Sequence, residues 1–295
     1  MDWMKYRIVY LIISGSVILL GLFSIFMWGF PLALDFKGGS IIEYKIEEKI
    51  STEDIIKSVE KESISVSSVQ VSEGANYILK LQSLSEDEKN KIGKVVGDLT
   101  NGKAQELRFE MVGPSVGPEL VKKTIVALFI SATAILFWIA FQFKSLKFGI
   151  SAVLAMLHDS LVVLGLYSLF GHFWKAEVDF LFVTAVLTIL SFSVHDTIVV
   201  YDRIRESQKK TGGSIYDLAN KALSETMVRS LNNSFTIVFM LLALILLGGT
   251  TIKWFAVTLL VGTVSGTYSS PFVAVPILVT WNEIQTRMKS RSGVK

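Results

Sequence analysis

Two copies of one pattern stand inside apolar stretches of this chain, His158-Asp159-Ser160-Leu161-Val162-Val163 and His195-Asp196-Thr197-Ile198-Val199-Val200. Each sets an imidazole beside a carboxylate in a segment that reads as lipid-embedded helix. A charge near the bilayer centre costs from about 2.5 to more than 10 kcal/mol, so such residues face protein or water and often handle ions or protons. Asp196 is the first candidate. On its helix Thr184, Thr188, Ser191 and His195 fall in one stripe, Asp196 stands about 100° round from His195, and Ser193 lies beyond it. A face this polar must turn from lipid. A desolvated carboxylate there can exchange protons near neutral pH; the alternative is an Asp that only holds helices together.

Arg229, at the start of a later apolar stretch, is the obvious counter-charge for Asp196. A guanidinium–carboxylate pair that opens on protonation would make a two-state element; the other reading is an Arg snorkelling to the surface. His158 and Asp159 are either an accessory relay or a satisfied structural pair. His195 is either a second titrating group or a polar packing residue. A metal site from both His-Asp pairs is disfavoured, because adjacent residues diverge by about 100° on a helix. An aspartyl dyad of Asp159 and Asp196 finds no support in a Gly-x-Gly-Asp motif, which the chain lacks. The expectation is no metal, no cofactor and no catalytic residue.

Composition sets the frame for these residues. Of 295 residues 51% are hydrophobic and 19% charged, below the roughly 25% of soluble domains. An integral membrane protein follows. The formal charge of +3 offers nothing to suggest a nucleic-acid partner. Without cysteine, disulfides and thiol chemistry are excluded.

Six stretches are long and apolar enough to span: Ile8–Phe30, Val121–Phe143, Phe148–Phe170, Phe180–Tyr201, Ser230–Leu247 and Phe255–Trp281. The first is too long for a signal-peptide core and reads as a retained anchor. Pro271 and Pro276 predict a kink in the last. Lys and Arg crowd the segments that lie on the N-terminal side of the membrane, while the short opposite loops hold Lys175 and Lys253. Both termini are therefore expected in the cytoplasm. In the last stretch Gly262, Gly266 and Ser270 recur every fourth residue, a small-residue face for close packing within the chain or against a partner.

Residues 32–120, between the first two spans, read as a folded outer domain. Strands are expected at Ser40–Ile46, Ser67–Val71, Tyr77–Leu81 and Gln105–Val112. Ser51 with Asp54, and Ser85 with Glu88, mark two capped helices. Glu73-Gly74-Ala75-Asn76 joins the middle strands and Asn101-Gly102 makes a turn. The order βαββαβ is that of a ferredoxin-like unit. The remaining divisions are a first helix over 1–31, a five-helix bundle over 121–285 with a cytoplasmic loop at 202–229, and a basic tail over 286–295. Within the loop, Ile215, Leu218, Ala219, Ala222 and Leu223 have helical spacing. They predict a short amphipathic helix, on the membrane surface or as a solvated linker.

With these residues in view the chain resembles the SecD/SecF family of protein-export membrane proteins, which belong to the resistance-nodulation-division (RND) transporter superfamily. Asp35-Phe36-Lys37-Gly38-Gly39 is similar to the family's Asp-Phe-x-Gly-Gly at the entry to the outer domain, where Thr is usual at Lys37. Val112-Gly113-Pro114 and Val116-Gly117 resemble the exit. The run from Ser193 to Glu206 is similar to Ser-Ile-Asn-Asp-Thr-Val-Val-Val-Phe-Asp-Arg-Ile-Arg-Glu, with His195 in place of the usual Asn.

The resemblance implies that Asp196 and Arg229 are the ion-coupling pair. It implies partnership with SecD and the SecYEG channel in the inner membrane, a translocating preprotein as cargo, and use of an ion gradient, with protons favoured over sodium. The other class of function is half of an RND-type exporter of lipids or small molecules. Such exporters tend to carry much larger outer domains than about 80 residues.

Overall fold

The computed structural model describes residues 2–72, 75–113 and 116–291. Glu73 and Gly74, half of the expected strand connection, lie outside the described residues. So do Pro114 and Ser115 of the exit motif and residues 292–295 of the basic tail. The chain divides into two units, Leu32–Ile125 and Met1–Pro31 with Val126–Lys295.

A single turn at Trp3–Tyr6 leads into α1 (Arg7–Trp28), which ends where Gly29 takes φ +63°. In the smaller unit the order is α2 (Leu34–Lys37), β1 (Gly39–Ile46), α3 (Thr52–Lys61), β2 (Val66–Ser72), β3 (Asn76–Leu81), α4 (Glu86–Leu99) and β4 (Ala104–Val112). The strands form one antiparallel sheet in the order β2-β3-β1-β4. Its register sets Ile42 opposite Leu79 and Tyr44 opposite Tyr77. Alternate residues therefore meet Ile55 and Val59 of α3 and Ile92 and Val96 of α4 in one buried core.

The two capping expectations fare differently. Ser85 and Glu88 form a reciprocal box, with each side chain on the other's backbone N–H. Ser51 instead accepts from Glu53 N, one residue earlier than the expected Asp54, so α3 has a single-sided cap. At the entry motif, Asp35 and Phe36 form the short α2, and Gly38 and Gly39 follow at φ +76° and +137°. A Cβ on Gly39 would lie 2.6 Å from Leu81 O, so the start of β1 admits only glycine.

The other unit is helical. After α1 come α5 (Val116–Phe143), α6 (Leu146–Trp174), α7 (Phe180–Thr211), α8 (Ile215–Leu247), α9 (Thr250–Ser269), a π-helical turn (Ser270–Ala274) and α10 (Val275–Arg291). Among the described residues, five helices are long and apolar enough to cross a membrane: Trp3–Trp28, Val121–Phe143, Leu146–Trp174, Phe180–Thr211 and Ile215–Leu247. The sequence-predicted last span is divided instead over α9, the π turn and α10. Pro271 lies inside that turn, where its missing N–H cannot continue the α-helical ladder. Large apolar side chains such as Phe26, Phe129, Phe141 and Leu247 stand exposed on α1, α5 and α8, as a lipid-facing surface requires.

The stretch 202–229 is not a loop. α7 continues to Thr211, and only Gly212, Gly213 and Ser214 interrupt the helices, with both glycines at positive φ. The apolar residues of the expected surface helix belong to the first turns of α8. Leu218, Ala219, Ala222 and Leu223 pack with Met4, Tyr201, Ile204, Leu278 and Val279 in the main core. Protein, rather than a membrane surface, takes up the amphipathic face. The N-terminal turn locks onto this end: Met4 N donates to Asn220 Oδ1 at 2.9 Å and Tyr216 Oη to Asp2 Oδ1 at 2.7 Å.

Excised residues 32–113 should show mixed helix and strand by circular dichroism and unfold cooperatively. Ser85→Ala should lower their stability by about 1 kcal/mol. The Ser85 backbone N–H, then its hydroxyl, hold the Glu88 carboxyl below its ordinary value. Stability from that contact is complete above about pH 4.3, the unfolded value, and is lost as pH falls through the lowered folded value. Chemical denaturation from pH 7 to pH 3 should show this slope reduced in Ser85→Ala; an unchanged slope would contradict the account.

Candidate functional site

The two His-Asp copies occupy different environments. Asp159, on α6, is fully buried and accepts from every side. Its Oδ1 takes Ser265 Oγ at 2.6 Å and His158 Nδ1 at 3.1 Å. Its Oδ2 takes Ser193 Oγ at 2.5 Å and Ser269 Oγ at 2.6 Å. The serines come from α7 and α9, so one carboxylate ties three helices together. Four donors fill the roughly four acceptor positions of a carboxylate.

Asp196, on α7, is also buried but has a thinner set of partners. Ser230 Oγ of α8 donates to its Oδ2 at 2.5 Å. His195 Nδ1 stands 3.9 Å from its Oδ1, with an imidazole about two-thirds exposed. The expected Asp196–Arg229 pair is not formed: among the described residues no ion pair joins them, and Arg229 is exposed on α8. The sequence neighbour of Arg229, Ser230, supplies the contact instead. Successive residues of a helix point about 100° apart, so the turn that aims Ser230 inward aims Arg229 outward.

The expectation that the polar stripe of α7 turns from lipid meets an open surface. Thr184, Thr188, Ser191 and His195 are all exposed on this unit. Thr184 and Thr188 return their hydroxyls to backbone carbonyls one turn back, at 2.9 and 2.8 Å. The imidazole of His195 has no such local outlet. The buried Asp196 therefore lies directly behind a polar strip that no described residue of this unit covers.

The small-residue face on α9 is spent within the chain. A Cβ on Gly262 would overlap the side chain of Ile189, and one on Gly266 would come within 3.3 Å of Ser193 Cα. Ser270 Oγ pairs with Thr197 Oγ1 at 2.9 Å. All three contacts are to α7. A second close approach escaped the sequence reading: Gly21 of α1 meets Gly165 of α6 backbone to backbone, and Ser24 Oγ donates to Ser168 Oγ at 3.0 Å beside it. Gly21 and Ser24, three apart in α1, and Gly165 and Ser168, three apart in α6, were its only signal.

The motif after Asp196 is a brace. Tyr201 Oη is buried with Ser151 Oγ at 2.7 Å and donates to Ala274 O at 3.2 Å. Arg203 bonds Glu225 of α8 and Glu206 of its own helix. Arg205 donates to Gln142 O of α5 at 2.8 Å. Among the described residues no three His, Asp or Glu gather as a metal site.

The comparisons with known proteins now bear on this geometry. A family profile described as protein export membrane protein SecD/SecF, C-terminal, matches residues 91–284. The SecF protein translocase subunit of Thermobaculum terrenum is 39% identical over 95% of this chain and 93% of its own length. That of Sebaldella termitidis is 40% identical over 93% of this chain and 90% of its own. The crystal structure of SecDF from Thermus thermophilus, a translocon-associated membrane protein, superposes with TM-score 0.84 at 30% identity, over 96% of this chain and 39% of that one.

Gly262→Val should collide with Ile189 and lower stability by about 1–3 kcal/mol. Ser270→Ala, which loses the hydroxyl contacts to Thr197 and to Gly266 O, should cost about 1 kcal/mol. Thermal unfolding in detergent ranks the two; the reverse order would show that α9 and α7 are not close-packed at Gly262.

Proposed function

The chain belongs to the SecF proteins of the SecD/SecF protein-export family, and on that premise we propose that it couples an ion gradient to preprotein movement. The coarse role, an accessory subunit of a protein translocase and a multi-pass membrane protein, comes with the family. The finer reading concerns residues. Asp196 is the coupling carboxylate, and the ion is a proton.

One observation carries this: a buried carboxylate sits behind an exposed polar strip in the part of α7 before the charged run that starts at Asp202. Lipid cannot solvate the exposed imidazole of His195, so a second protein surface or a file of water must cover that end of the strip. Water reaching that strip would bring protons to Asp196 past His195. Ser230 holds the carboxylate meanwhile, as a neutral donor that can stay in place when the charge changes. Arg229 is one residue from that serine, so turning α8 by about 100°, or swinging the long Arg229 side chain round the helix, would exchange the hydroxyl for the guanidinium. We assign the exchange to the working cycle.

The partner that covers the strip is a SecD-like subunit of matching topology. Two relatives, the SecDF proteins of Thermus thermophilus and Bacillus subtilis, carry this region as 37% and 38% of a longer chain. In the proposed assembly the membrane part counts six spans, with α9 and α10 as the sixth. Both termini are cytoplasmic, and the sheet unit forms a ferredoxin-like outer domain beside the SecYEG channel. The reading of an RND-type exporter of lipids or small molecules finds no relative among those named above.

Asp196→Asn should insert normally and lose gradient-dependent export of a reporter preprotein in inverted vesicles. Wild-type export at matched abundance would sink the assignment. A double-mutant cycle of Asp196→Asn with Arg229→Gln should be non-additive; additivity would leave Arg229 as a surface charge. His195→Asn should keep the wild-type rate if His195 only borders the path, and a displaced pH profile would make it part of it.

A further inference from the structure

We propose that His158 is a second proton-accepting residue, opening on a cleft between α1, α6 and α9 and positioned by Asp159. Its role in export rests on the reading above, whereas its chemistry rests on geometry alone. His158 is 5% exposed, and its two ring nitrogens differ. Nδ1 lies 3.1 Å from Asp159 Oδ1. Nε2 is buried and has no hydrogen-bond partner among the described residues. The same residue lines a cleft of about 510 Å³ with Ser14, Val17, Val162, Val264 and Tyr268.

The serine cage decides which nitrogen carries hydrogen. Ser193, Ser265 and Ser269 all donate to Asp159, so the carboxylate offers Nδ1 an acceptor and no hydrogen of its own. Nδ1 is then the N–H, and Nε2 holds the lone pair. Protonation at Nε2 forms the Nε2–H bond and turns the imidazole into an imidazolium. No bond breaks within the cage, and the pair passes from net −1 to net 0. Asp159 thus acts as an orienting acceptor, as the buried Asp does for His in a Ser-His-Asp triad.

The ionisable surroundings are sparse. Among the described residues the ion-pair partner of Asp159 is His158 itself. On α9 the titratable neighbour is Tyr268, with ring centroids 6.4 Å apart. Its hydroxyl is engaged with Tyr10 O and Ser14 Oγ of α1, both at 3.3 Å. α7 contributes Ser193 to the carboxylate. A lone pair left over in a buried, otherwise saturated cluster has no structural use, since a phenylalanine-like packing role would not need it.

The test is solid-state NMR of the full chain in lipid bilayers with 15N-labelled histidine. The chain has three histidines, and His172→Gln with His195→Asn leaves His158 alone, without touching the cage. At pH 9 the expected spectrum has a protonated Nδ1 and a bare Nε2; on acidification Nε2 takes up hydrogen as well. Asp159→Asn should remove the Nδ1–H preference. An Nε2–H tautomer at pH 9, or an Nε2 that stays bare throughout acidification, overturns the proposal without any variant of the cage having to fold. In export assays His158→Gln should lose the wild-type pH profile. If Asp196→Asn abolishes gradient-dependent export while His158→Gln keeps that profile, the export reading stands and this one falls. If no gradient-dependent export exists, the NMR result still decides the chemistry of His158.

Discussion

A carboxylate cannot lie bare in a membrane, and the helical unit is organised around that constraint. Asp159 is surrounded by donors from α7 and α9 as well as its own neighbour on α6. Those bonds fix the rotation of three helices at once, because each serine must face one point. The glycines then follow. Gly262 and Gly266 let α9 approach α7 closely, while Ser265 and Ser269 of the same helix reach Asp159 on α6. Losing one serine would leave an acceptor unmet in a dry interior, at a cost of about 1–3 kcal/mol. The cage is therefore a packing device as well as a chemical one.

Asp196 shows the same constraint half met. Its carboxylate is hidden, yet among the described residues Ser230 is its one donor closer than 3 Å and the adjoining stripe stays exposed. The contrast separates two kinds of intramembrane carboxylate. A saturated one resists change, and a thinly held one can exchange partners. The helices around Asp196 are braced away from it. Arg203 with Glu225 holds α7 to α8, and Tyr201 is fixed between α6 and the π turn. Such bracing leaves the middle of the α7–α8 contact free to rearrange while its end stays put.

Much of the smaller unit was legible from residues alone. Alternation placed each strand within a residue or two, and Ser85 with Glu88 wrote the start of α4 in full. The apolar stretches were legible too, because length and hydropathy are local properties. The cage was not. Ser193, Ser265 and Ser269 lie 34, 106 and 110 positions from Asp159, and nothing in a helix period says which neighbour a serine will meet. Arg229 misled for a related reason: matching depth does not set rotation about the axis, and Ser230 took its place. Leu218 and Ala222 were read as a surface face because amphipathicity records that one side is covered, not by what.

The central claim is that the stripe on α7 is an interface waiting for a second subunit rather than a lipid-facing surface. The absence of cysteine makes it directly measurable. Spin labels on Thr188→Cys and, as a lipid-facing reference, Phe129→Cys can be read for collision with oxygen, which concentrates in lipid, and with a water-soluble nickel reagent. The chain would be measured alone in bilayers and again with the SecD-like partner proposed above. The account predicts that the Thr188 label loses oxygen contact when the partner is present, while the Phe129 label keeps it. Equal oxygen contact at Thr188 with and without the partner would contradict it.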